Sequence, residues 1–189
     1  MESRNAERVR LRAERDKLKA TDPEGLADAW AMIEELWSGT VGRARKLPEP
    51  VVHEQVDGEW SFVQTQRHLV LATDCWLRRM VKGIAHPYHR WGLGGSWLTS
   101  PRRWGIDPDA DPPLDQVLDL RRERMDEVRE VIVGASAKEL ERNCAPPDSP
   151  GHPRKEHTVL QCLQVILKEE WQHHRYAVRD LEVLEKRSR

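Results

Sequence analysis

One stretch constrains the fold more than any other. From Thr158 to about Lys186 the chain reads as a single helix, opened by the capping box Thr158-x-x-Gln161. At about 100° per residue, Leu160, Leu163, Leu167, Ala177, Val178 and Leu181 fall on one stripe. Gln164, Lys168, Gln172, Arg175 and Arg179 form the opposite, solvated face. A helix longer than most, with one apolar stripe, must span its domain and bury that stripe against other helices.

Three further long helices are expected. Asp22 as N-cap and Pro23 at the first helical position open one that runs to about Leu47, where Pro48 and Pro50 end it. Its inward face is Leu26, Trp30, Ile33, Trp37 and Val41. The capping box Ser61-x-x-Gln64 opens the next, with Phe62, Thr65, Leu69, Ala72, Trp76 and Met80 on one face and Gly83 as the stop. The third runs from about Pro112 to Val133, followed by a short helix opened by Ser136-x-x-Glu139. The best strand candidate is VVHEQV, Val51 to Val56. The expected fold is therefore all-α, a four-helix bundle with a long irregular loop, residues 84–111, between the second and third helices. Residues 1–20 form a charged N-terminal arm, read as a solvated helix, and residues 21–189 a single domain.

The 189 residues hold 31 basic and 32 acidic side chains, for a net charge of −1, which gives no electrostatic footprint for nucleic acid. No apolar run is long enough for a membrane span, and the first residues lack the apolar core of a secretory signal. Three cysteines, Cys75, Cys144 and Cys162, make no disulfide framework and no zinc-type C-x₂-C pair, so a reducing, cytoplasmic setting is expected. Eight tryptophans stand against one phenylalanine. Most are expected in the core; Trp91, Trp97 and Trp104, in the loop, are candidates for a pocket wall.

Chemistry concentrates in LKEEWQHHRYAVRDL, Leu167 to Leu181, which holds two acid–histidine pairs at i, i+4: Glu169/His173 and Glu170/His174. Either pair could grip one cation. The projection puts Glu170 and His174 near the centre of the apolar stripe and Glu169 and His173 to one side. A carboxylate in an apolar stripe carries a penalty of several kcal/mol that a cation removes. The expected ligands are thus Glu170 and His174, joined by His68 on the second helix; the competing explanation is that Glu170 and His174 only hydrogen-bond a neighbouring helix. Two histidines and one carboxylate leave coordination positions open, as catalytic sites do, and suit Zn²⁺, Ni²⁺, Fe²⁺ or Mn²⁺. His86-x-x-His89 in the loop offers a further acid or base, and Cys75 reads as a buried small hydrophobe.

At GEWSFVQTQRHLVLATDCWLRRMV and EEWQHHRYAVRDLEVLE the chain resembles the DinB/YfiT-like superfamily of metalloenzymes, which includes mycothiol-dependent maleylpyruvate isomerases and bacillithiol S-transferases. The resemblance implies a four-helix bundle with one histidine from the second helix and an H-x₃-H or E-x₃-H pair from the last, here His68, Glu170 and His174. A register one residue earlier would select Glu169 and His173, and periodicity argues against it. The implied activity is metal-dependent activation of mycothiol, another small thiol or water towards a small electrophile, in transfer, isomerisation or hydrolysis, with His173 and His89 moving protons. A non-catalytic metal- or ligand-binding sensor is the alternative. The expected partner is a small-molecule substrate, and a homodimer is compatible with both readings.

Overall fold

The computed structural model describes residues 2–188. Seven α-helices follow in order: α1 (Glu2–Lys17), α2 (Pro23–Ala44), α3 (Glu49–Val52), α4 (Phe62–Thr73), α5 (Leu114–Gly134), α6 (Ala137–Leu140) and α7 (Val159–Arg187). The caps behave as the sequence predicts. Asp22 accepts from the Gly25 N–H, and Ser61 and Thr158 each close a reciprocal capping box with Gln64 and Gln161. Gly83, at φ +66°, stands just past the end of the second long helix, where a left-handed residue is needed.

Two local features depart from expectation. Val51 and Val52 lie in the short helix α3, not in a strand. The fixed φ of Pro48 and Pro50 suits a helical first turn, and a lone β-branched run gains nothing without a strand to pair with. The only pairing among the described residues is a two-residue ladder, β1 (Asn143–Cys144) against β2 (His157–Thr158), which delivers the chain into α7. Beyond Thr73, α4 widens into a π-helical segment, Asp74–Val81.

The four long helices contact one another in a closed sequence: α4 against α5, α5 against α2, α2 against α7 and α7 against α4. Between them lies one apolar core that includes Leu26, Trp30, Ile33, Leu69, Leu163 and Leu181. The N-terminal helix α1 is exposed over most of its length but docked at its end, with Leu18 buried and Glu14 accepting from the Trp171 indole N–H at 2.9 Å.

The long loop is stitched to α4. Arg67, 3% exposed, donates to the carbonyls of Trp91 (2.9 Å), Asp107 (3.2 Å) and Ala110. Asp74 accepts from the His89 N–H at 2.8 Å. Buried guanidinium and carboxylate groups thereby satisfy backbone groups that a loop crossing a core would otherwise orphan. Trp104 stacks on Tyr88 and stands against Trp97, over a small second core of Leu71, Cys75 and Ile106. All three cysteines are free and buried, and burial pushes the Cys162 thiol up to about 12.

Candidate metal centre

The contact between α4 and α7 brings one imidazole from α4 to two side chains of α7. His68 Nε2 stands 3.2 Å from Glu169 Oε2, and His173 Nδ1 lies 3.4 Å from the same oxygen. One ligand-type atom from each of His68, Glu169 and His173 falls within 4.8 Å of the others. The two imidazole rings are 4.5 Å apart, and Trp60 covers both, at 4.6 Å from His68 and 6.2 Å from His173.

Backbone carbonyls orient both rings. His68 Nδ1 donates to the Leu93 carbonyl at 3.0 Å, and His173 Nδ1 to the Glu169 carbonyl at 2.9 Å. A carbonyl can only accept, so each Nδ1 carries the proton and each neutral ring keeps its lone pair on Nε2. For His68 that lone pair faces a carboxylate oxygen, placing two acceptors 3.2 Å apart. Either a second proton on the ring or a cation between the groups resolves the opposition. Two imidazoles held in one tautomer by outer partners, plus a carboxylate, are the donor set of an open divalent-metal site. Side-chain exposures of 12% for His68, 30% for Glu169 and 15% for His173 leave the group reachable from solvent.

The electrostatics suit that chemistry. Where His68 carries the second proton, its hydrogen bond holds the Glu169 carboxyl below the usual carboxylate range, with the charge of both histidines adding to the effect. Burial, and then the neighbouring His68, holds His173 below an ordinary imidazole. Near neutral pH, Glu169 is therefore a carboxylate and His173 a neutral base.

Glu170 and His174, expected as ligands, go elsewhere. Glu170 is buried and accepts from Arg121 Nη2 of α5 at 2.8 Å. Burial raises its carboxyl pKa against the opposing pull of Arg121. His174 Nε2 donates to the Leu36 carbonyl (3.1 Å) and meets Thr40 Oγ1 (2.8 Å), both on α2, with its ring edge-on to Trp37. The projection was right about burial: Glu170 is 1% and His174 8% exposed, whereas Glu169 and His173 are intermediate. What it could not tell was which neighbour each flank meets. Successive residues point about 100° apart, so the stripe's centre faces α5 and α2, and its flank faces His68. His173, expected as a proton shuttle, stands in the group of three side chains that could hold a metal ion. His89, the other expected catalytic residue, is held by Asp74 through its N–H and by Trp91, whose N–H donates to its Nδ1, and is absent from the three-residue group.

Several residues that position the site escaped the sequence reading. Arg67, Leu93 and Trp60 act through the loop and through ring contacts, which have no periodicity. Arg121 was detectable in principle, as a cation on the inward side of the third long helix.

The sequence model of the DinB superfamily matches residues 32–177, from within α2 to near the end of α7. No curated protein and no solved structure matches the chain.

Proposed function

Because the chain belongs to the DinB superfamily, we propose that it is a divalent-metal-dependent enzyme of the four-helix-bundle type, with His68, Glu169 and His173 holding the cation. It activates a small thiol of the mycothiol kind, or water, towards a small electrophile in transfer, isomerisation or hydrolysis. The observation that carries this reading is His68 Nε2 standing 3.2 Å from the Glu169 carboxylate beside a third potential ligand. When bound, the cation would supply a Lewis acid that lowers the pKa of a thiol or water. Zn²⁺, Ni²⁺, Fe²⁺ and Mn²⁺ all suit the donor set. The Leu93 and Glu169 carbonyls hold the two rings in the ligating tautomer, and Trp60 shields one side of them from water.

The test is thiol consumption with mycothiol and a chromogenic electrophile, on protein loaded with each metal in turn. His173→Ala is expected to lower kcat/KM by at least about a hundredfold, the scale of losing the main activating group. Equal turnover by His173→Ala would remove the reading. Trp97, half exposed and packed on Trp104 and His152, favours a second reading as a ligand-binding module. That reading gains if metal-stripped protein binds its small molecule undiminished.

Acid should release the metal, because protons compete for the ligand lone pairs. His173 titrates below the ordinary imidazole value of about 6.5, so its proton arrives only at lower pH. Metal content after dialysis should be flat above neutrality and fall only once the pH drops below the ordinary imidazole value. Release centred above pH about 7 would contradict the assignment of His173.

A further inference from the structure

A second site lies on the other side of the α7 stripe. A cleft of about 370 Å³ opens between α2 and α5, with Gln66 of α4 and Arg121 of α5 in its lining. Those two side chains are 1% and 2% exposed. Arg121 Nε donates to Gln66 Oε1 at 3.3 Å and its Nη2 to Glu170. Gln66 Nε2 and Arg121 Nη1 have no hydrogen-bond partner among the described residues. Turning the Gln66 amide over would not help, since its NH₂ would then face the Arg121 Nε–H, donor against donor.

Buried donors are almost always paired, and an unpaired one costs about 1–3 kcal/mol. Three line this one cleft, the –NH₂ groups of Gln66 and Arg121 and the Trp37 indole N–H, and all three can only donate. The missing partner is therefore an acceptor. The rest of the lining mixes the apolar surfaces of Trp37, Leu118 and Met125 with exposed charged side chains such as Arg45, Arg122 and Arg129, and the volume is that of a small-molecule pocket. We propose that the cleft between α2 and α5 binds a small molecule with an apolar body and a carbonyl or carboxylate oxygen, which takes the free hydrogens of Gln66 and Arg121. The cleft's lining includes none of His68, Glu169 and His173, and the proposal does not rest on what that group does.

The experiment titrates the full chain, by ligand-observed NMR, with three probes on one phenylpropyl scaffold: 3-phenylpropionate, its methyl ester and 3-phenylpropylamine. The first two carry the acceptor and separate an anionic from a neutral ligand; the third only donates. At least one acceptor probe should saturate, and the amine should not. Gln66→Glu keeps the acceptor for Arg121 Nε but removes the free NH₂, and should weaken that probe about tenfold or more. Ser38→Trp, at an exposed position on the cleft's edge, should block it without touching the buried pair. Circular dichroism checks that both variants fold. The proposal is overturned if neither acceptor probe saturates, if the amine binds as well as they do, or if both folded variants bind the probe like the parent. Ordered water alone on the two donors in a crystal grown with the probes would overturn it equally.

Discussion

His173→Ala and Glu169→Gln should each leave the purified protein without its divalent metal, whereas His174→Ala should keep it. The first two remove a proposed ligand from the His68, Glu169 and His173 group. The affinity loss should exceed about a hundredfold, since losing even an outer partner of a ligand costs about 10- to 100-fold. His68→Ala should match them, because its Nε2 faces the same carboxylate. His174→Ala instead deletes a hydrogen bond to α2, at about 1–3 kcal/mol of stability. Metal content by mass spectrometry after dialysis against a competing chelator distinguishes the two registers. Metal retained by His173→Ala and lost by His174→Ala would move the site to the centre of the stripe.

The largest loss of stability is expected at Glu170. Replacing it with leucine leaves Arg121, whose side chain is 3% exposed, buried without its counter-charge. Breaking a buried pair on one side costs about 3–5 kcal/mol. For a chain of this size that lowers Tm by about 6–20 °C. Adding Arg121→Met should restore most of the loss, because apolar side chains of similar volume often replace a buried pair at little cost. The double-mutant cycle by urea denaturation reads the coupling directly. If Glu170→Leu unfolds with the parent's midpoint, the pair is not intact in solution. If it also releases metal, Glu170 serves the cation as well as Arg121.

These two experiments divide one i, i+4 doublet between its two tasks, and the sequence alone could not make that division. Both pairs have ligand chemistry and ligand spacing. Burial periodicity ranks Glu170 and His174 as the more buried, and they are. Depth alone does not single out the metal ligands, for a physical reason. A buried carboxylate needs some positive partner, and an arginine on a facing helix removes the penalty as well as a cation does. A site that admits substrate is better placed on the stripe's flank, where side chains are screened from bulk water but still reachable.

Other elements were legible because their causes are local. The starts at Asp22, Ser61 and Thr158 follow from side chains that cap N–H groups within three residues. The π-helical turn at Asp74–Val81 and the path of residues 84–111 were not legible. The loop's course depends on Arg67 finding three carbonyls from 24 to 43 residues away, an arrangement that exists only once the chain is folded.

By itself, then, the sequence determined the helical class, the extent of the long helices, the family, and His68 together with one acid–histidine pair of α7 as the place to look. Only the tertiary structure decided which pair stands beside His68. Helix phase is a property of a single segment and can be computed from spacing. The partner a given flank meets depends on how α4, α5 and α2 are arranged around α7, and that is settled by packing across the whole core.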